Sequence, residues 1–187
     1  MHSHILIVGG TGMLKEATIA LASSAPVISS VARSKRSLDS LHSDLEEFKG
    51  AHYQLQLDWN QQKDFLNSLS AHIQRVGIPS LVVAWLHDDS LGFEIARLCG
   101  SATGLCRLFQ VRGSSEVVGQ AELRRFAEQF AGLPGVKVHQ VILGFMRTPR
   151  GSRWLDHAEI SAGVLEAVRG EEPIAIVGAI EPWSEAP

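Results

Sequence analysis

Near its start the chain runs His4-Ile5-Leu6-Ile7-Val8-Gly9-Gly10-Thr11-Gly12-Met13-Leu14, an apolar stretch of strand length that stops at glycines. Glycine permits a tight turn without a Cβ and lets backbone approach a ligand closely. A helix-compatible segment follows from Met13 to Ala22. Such a helix aims its unbonded N–H groups and the positive end of its dipole into the turn, where an anion is favoured. Strand, glycine turn and helix together are the geometry of the first unit of a dinucleotide-binding domain. On that reading Gly9, Gly10, Thr11, Gly12, Met13 and Leu14 hold the nucleotide, and a bulky side chain at Gly10 or Gly12 abolishes binding while leaving the fold largely intact. The alternative is an ordinary strand-to-helix turn.

The rest of the chain alternates in the same way. Val27–Ala32 reads as a second strand, and Ser34–Phe48 as a helix with Leu38, Leu41, Leu45 and Phe48 at spacings of three and four. Tyr53–Leu57 is a third strand, and Asp58–Arg75 a helix carrying Phe65, Leu66, Leu69 and Ile73. Ser80–Leu86 is almost wholly apolar, as suits a strand buried on both faces. Leu91–Leu98 is a helix ending at Gly100, Leu105–Val111 a fifth strand, Glu116–Ala131 a helix and Val136–Leu143 a sixth strand. Asp156–Val168 is the last helix and Ile174–Val177 a seventh strand. Repeated strand–helix units with right-handed crossovers predict one α/β domain over residues 1–187. Its core is a doubly wound parallel sheet, a Rossmann fold, in the order 3-2-1-4-5-6-7. The ligand crevice then lies at the carboxyl ends of strands one and four.

Composition narrows the function classes. A net charge of −3 gives no basic surface for nucleic acid, so no nucleic-acid partner is expected. No apolar stretch approaches the roughly 20 residues of a membrane span, and no signal-peptide pattern precedes the first strand. No membrane partner is expected, and the expected compartment is cytoplasmic. Cys99 and Cys106 are the only cysteines and read as small core residues. The eight histidines show no metal-ligand spacing, so no metal is expected.

In NAD-type sites an acidic residue about 20 positions beyond the glycines holds the ribose diol. Here position 33, 21 residues beyond Gly12, is Arg33, followed by Ser34, Lys35 and Arg36. Cations with a hydroxyl suit a 2′-phosphate, and cations beside the positive end of a helix need a compensating anion. NADP(H) is therefore expected over NAD(H), with Arg33, Ser34 and Lys35 at the phosphate. The other reading is a solvated basic helix start. Asp58 either caps the helix after it or faces an adenine.

These features, in order, resemble the short-chain dehydrogenase/reductase family in a small, atypical version. Val8-Gly9-Gly10-Thr11-Gly12 is similar to its glycine turn, Val31-Ala32-Arg33-Ser34 to the strand end of NADP-preferring members, and Leu57-Asp58 to its adenine-side aspartate. Val83-Ala84-Trp85 stands where the family has Asn-Ala-Gly, which makes Trp85 a cofactor neighbour. Leu143-Gly144-Phe145-Met146-Arg147-Thr148-Pro149 resembles the segment whose threonine contacts the nicotinamide carboxamide, which implies that role for Thr148. The resemblance implies a small-molecule substrate and a possible homo-oligomer.

The departures carry equal weight. Lys15 replaces the third glycine of the fingerprint. The family's Tyr-x-x-x-Lys pair is absent: Tyr53 is the single tyrosine, and no lysine lies between Lys63 and Lys137. That pair supplies the acid/base of carbonyl–alcohol interconversion. The replacements on offer are His87, after the fourth strand, and Ser114 and Ser115, after the fifth. Histidine is the usual acid/base near neutral pH, whereas serine needs an activating base. The loop from Arg147 to Arg153 holds Arg147, Arg150 and Arg153, followed by Trp154, and fits an anionic substrate or the cofactor's own pyrophosphate. Two functions remain open: an NADP-dependent oxidoreductase with an atypical site, or a non-catalytic Rossmann protein that senses NADP(H).

Overall fold

Ile5, Leu6, Ile7 and Val8 are at most 1% exposed and form the strand around which the chain is wound. The structure, a computed structural model, describes residues 1–86, 88–100, 104–114, 128–130, 132–170, 172–182 and 186–187. In chain order the elements are β1 (Ile5–Val8), α1 (Lys15–Ala22), β2 (Val27–Ala32), α2 (Lys35–Asp44), β3 (Ala51–Gln56), α3 (Gln62–Val76), β4 (Leu81–Trp85) and α4 (Asp89–Cys99). Then follow β5 (Cys106–Gly113), β6 (Val136–Leu143), β7 (Phe145–Thr148), β8 (Gly151–Trp154), α5 (His157–Arg169) and β9 (Ile174–Val177). The helix expected over 116–131 falls almost wholly outside the described residues.

Seven strands form one sheet in the order β3-β2-β1-β4-β5-β6-β9, and every neighbouring pair is parallel. This is the expected doubly wound order. The chain steps outward from β1 to β2 to β3, then crosses back to β4 on the other side of β1. That reversal opens the sheet at the carboxyl ends of β1 and β4. Side chains alternate between the two faces with the strand period of two. Ile5, Ile7, Ile28 and Val83 pack with α1, α2 and α5, whereas Leu6, Val8, Val31 and Val82 pack with α3 and α4. Neither face of β1 meets water, which is why its sequence is an unbroken apolar run.

Three expectations are corrected. Residues 147–153 are not an open loop: β7 pairs antiparallel with β8, in the register Phe145↔Trp154 to Thr148↔Gly151. Gly151, at φ +130°, takes the backbone conformation this reversal needs. These two strands, Phe145–Thr148 and Gly151–Trp154, are rich in polar residues and carry no apolar run to mark them in the sequence. Helix α1 begins at Lys15 rather than Met13, after a turn through residues 11–14. Asp58 does not cap the helix after it. Its Oδ1 accepts the Asn60 N–H at 3.0 Å in a local turn, and Gln61 stands at the start of α3.

Candidate functional site

The glycines of the first turn have different tasks. Gly9, at φ +82°, turns the chain out of β1 and donates its N–H to Val31 O at 3.0 Å. A Cβ there would lie 3.1 Å from the Cβ of Trp85, so the end of β4 packs on this glycine. A Cβ at Gly10 would meet Thr18 Oγ1 at 2.7 Å and Ile7 Cγ2 at 2.8 Å. Gly10 is therefore a packing glycine, and a bulky residue there disturbs the β1–α1 contact itself. This corrects the expectation that the fold would be left intact. A Cβ at Gly12 would meet nothing within 4 Å. Gly12 lines open space, where a ligand can approach backbone.

The turn is braced from behind. Thr18, fully buried, directs its hydroxyl to Leu14 O at 2.8 Å and Gly10 O at 3.1 Å. Ser161 of α5 donates to Met13 O at 2.9 Å. No side chain caps the start of α1 at Leu14. Its first amides suit an anion for that reason. Lys15, the first residue of α1, turns away from this end and pairs with Asp44 of α2 at 2.6 Å.

At the end of β2 the Arg33 guanidinium lies 4.9 Å above the Trp59 ring, and Arg33 is exposed. Trp59, on its own, gave no more signal in the sequence than the other tryptophans. What singles it out is the fold, which carries β2 and the end of β3 side by side. Ser34 caps α2 by accepting the Ser37 N–H at 3.3 Å, which leaves the hydroxyl proton as a donor. Lys35 bonds Asp39 one turn on and Gln54 of β3. Arg33 and Ser34 thus present donors at the crevice rim, while Lys35 is tied along α2.

Trp85 ends β4 half-buried beside Gly9. His87, the expected acid/base, lies outside the described residues, as does Ser115. Asp88, next to His87, caps α4: its Oδ1 accepts from the Ser90 N–H at 2.8 Å and the Ser90 hydroxyl at 2.6 Å. The Ser90 hydroxyl is the main reason its carboxyl sits below the ordinary carboxylate range. Ser114 follows β5, is buried to 7% exposure, and its Oγ has no hydrogen-bond partner among the described residues. Tyr53 is not part of this site. It stands on β3 with its ring edge-on to His72, 5.3 Å between centroids.

The β7–β8 hairpin carries the remaining candidates. Thr148 Oγ1 donates to Gly151 O at 3.0 Å and accepts the Arg150 N–H at 3.3 Å, so this hydroxyl serves the hairpin turn. Arg147 donates to Glu181 O at 2.5 Å. Arg153 makes a two-pronged pair with Glu159, whose carboxylate also completes the capping box of α5 with Asp156. Held by the Arg153 guanidinium, the Glu159 carboxyl falls to a pKa of about 2. Arg150 and Trp154 are exposed, Trp154 to 50%. Trp183 lies outside the described residues. Among the described residues no three His, Cys, Asp or Glu side chains converge as a metal site, and no helix is long and apolar enough to cross a membrane.

The architecture is similar to solved dehydrogenases. The bulky-bulky ketone specific alcohol dehydrogenase from Comamonas testosteroni superimposes with a TM-score of 0.71 at 16% identity, covering 98% of this chain and 90% of that one. A short-chain type dehydrogenase/reductase from Mycobacterium marinum superimposes with a TM-score of 0.69 at 14% identity, covering 94% and 93%. At these identities the likeness is one of fold. No protein-family model and no curated protein matches the chain in sequence.

Proposed function

We propose that this protein is an oxidoreductase of the short-chain dehydrogenase/reductase type that uses NADP(H). The observation that carries the reading is the pairing of Gly12, which faces open space at the switch point, with the exposed Arg33 at the neighbouring strand end. The residues present fit such a cofactor. Gly9, Gly10, Thr11, Gly12, Met13 and Leu14 offer the pyrophosphate a turn and uncapped helix amides. Arg33 and Ser34 offer the 2′-phosphate a guanidinium and a hydroxyl, and Lys35 adds positive charge nearby. Asp58 and Trp59 flank the adenine side, and Trp85 and Thr148 lie toward the nicotinamide end. When bound, the cofactor supplies hydride chemistry, and the chain must supply a proton donor. With Tyr53 packed on His72, that donor comes from His87, Ser114 or Ser115, or from water they hold. An anionic substrate is bound by Arg150 and Trp154 of the hairpin, with Arg147 and Arg153 adding positive charge.

A second reading is a cofactor sensor without turnover. It is favoured by the Thr148 hydroxyl, which is engaged within its own hairpin. One titration series tests both. Calorimetric titration with NADPH and NADH is expected to show tighter NADPH binding. Tight binding without NADPH oxidation across a broad carbonyl screen selects the sensor. Equal affinity for the two cofactors removes the NADP assignment.

A further inference from the structure

Arg33 and Lys35 follow the same strand end, yet they are held in opposite ways. Lys35 is bonded to the Asp39 carboxylate one turn along α2, so its charge is balanced within the helix. Arg33 is exposed and, among the described residues, has no carboxylate partner. Its guanidinium carbon instead lies 4.9 Å from the centre of the Trp59 ring.

The fold makes Trp59 a fixed surface. The Leu57 N–H bonds Ala32 O at 3.1 Å, which sets the end of β3 beside the end of β2. The chain then turns: Asn60 N–H bonds Asp58 Oδ1 and Gln61 N–H bonds Asp58 O, both at 3.0 Å, with Trp59 inside the turn. The indole is half-buried and packs against the core on the α3 side of the sheet. The Arg33 backbone is tied as well, its carbonyl accepting from Gln56 Nε2 at 3.3 Å.

A carboxylate and an aromatic face both attract a guanidinium, but they leave it with different chemistry. A carboxylate occupies N–H donors, cancels the charge and repels an approaching phosphate. An aromatic face attracts the cation through its quadrupole, and tryptophan does so best. A guanidinium lying over a ring keeps its charge and its N–H donors for a second, anionic partner. We infer that Trp59 is a positioning residue for Arg33: it holds the guanidinium at the strand end without neutralising it, and so sets the preference for a nucleotide carrying a 2′-phosphate. This rests on the NADP(H) reading proposed above and adds to it a residue whose effect on the phosphate passes through Arg33. Without the ring, the arginine side chain must be ordered when the phosphate binds, which weakens the contact.

The test uses the full chain and two nucleotides, 2′,5′-ADP and 5′-AMP, which differ only in the 2′-phosphate. Calorimetric titration gives the ratio of their affinities, and circular dichroism checks that each variant is folded. The parent is expected to favour 2′,5′-ADP. Trp59→Leu should lower the ratio on the order of tenfold, through loss of 2′,5′-ADP affinity, whereas Trp59→Phe, which keeps a ring, should retain most of it. Arg33→Lys keeps the charge at an exposed position and loses the planar stack. It should lower the ratio about as much as Trp59→Leu, and adding it to Trp59→Leu should cost little more. A ratio left unchanged by folded Trp59→Leu or by Arg33→Lys overturns the inference and leaves the NADP(H) reading standing. Equal losses for both nucleotides in Trp59→Leu overturn it in favour of a direct adenine contact. A parent that binds the two nucleotides equally removes the NADP(H) reading itself, and the inference with it.

Discussion

The Ser29 hydroxyl lies 2.7 Å from His72 Nε2, and both residues are almost wholly buried between the sheet and α3. On its other side Ser29 Oγ is 2.8 Å from His4 Nε2, and His4 Nδ1 is 2.9 Å from Gly77 O. The directions follow from what each group can do. A carbonyl only accepts, so His4 carries its proton on Nδ1 and accepts at Nε2. Arg75, 3.4 Å from His72 Nδ1, only donates, so His72 carries its proton on Nε2. Ser29 accepts from His72 and donates to His4, so the hydroxyl and the two ring nitrogens facing it are all matched. Ser29→Ala breaks both contacts and leaves two ring nitrogens buried without partners. The expected cost is about 1–3 kcal/mol of stability, read from urea unfolding. A variant as stable as the parent would show that the wire is not structural.

The same burial fixes a pH dependence. Burial holds His72 and His52 down to about 4, and lowers His4 as well. In the unfolded chain these rings titrate near 6.5. Between those values the unfolded state binds more protons, so stability rises with pH. The contribution is full above about pH 6.5 and is lost as pH falls toward 4. Unfolding midpoints at pH 7.5 and 5.0 should therefore differ, with the acid sample weaker. His72→Asn should flatten the difference. A midpoint that holds steady over this window would contradict it.

How much of this was legible in the sequence depends on the range of the signal. The strand order, the glycine turn and the limits of β6 and β9 were readable, because long apolar runs and regular helical spacing report burial directly. The hairpin was not, since Arg147, Thr148, Ser152 and Arg153 leave its two strands without an apolar run. Nor was the division of labour between Gly10 and Gly12, because it depends on Thr18 and Ile7 behind one and open space before the other. Ser29 and Ser30 are the polar residues of an otherwise apolar strand. Each is matched to histidines from elsewhere in the chain, a pairing across 43 residues for His72. Sequence spacing does not report contacts of that kind.

The two glycines give separable outcomes. Gly12→Val should remain folded by circular dichroism and lose NADPH binding, because its side chain enters the space a pyrophosphate needs. Gly10→Val should lower the melting temperature, since its Cβ would press on Thr18 and Ile7. Undiminished binding in a folded Gly12→Val would refute the placement of the nucleotide.

Arg33→Glu places a carboxylate where the 2′-phosphate is proposed. Discrimination in favour of NADPH should fall by about 1–3 kcal/mol, the worth of a charge-assisted contact. NADH affinity should change less. Parallel losses for both cofactors would mean that Arg33 acts through its stack on Trp59 and not through the phosphate.

The last prediction concerns turnover. Tyr53, the single tyrosine, is packed against His72 and far in the topology from the crevice, so simple alcohols and ketones should react slowly. Whatever oxidation of NADPH is found should depend on the residues after β4 and β5. His87→Ala should lower kcat by roughly 10²–10⁴ if the imidazole is the general acid, and the pH profile should lose its limb near neutrality. Ser114→Ala, which removes a buried hydroxyl without a described partner, should lower kcat with little change in KM if that hydroxyl orients the reacting group. Arg150→Ala should do the reverse, raising KM for an anionic substrate at constant kcat. A His87→Ala protein with unaltered kcat and pH profile would leave Ser114, Ser115 or bound water as the source of the proton.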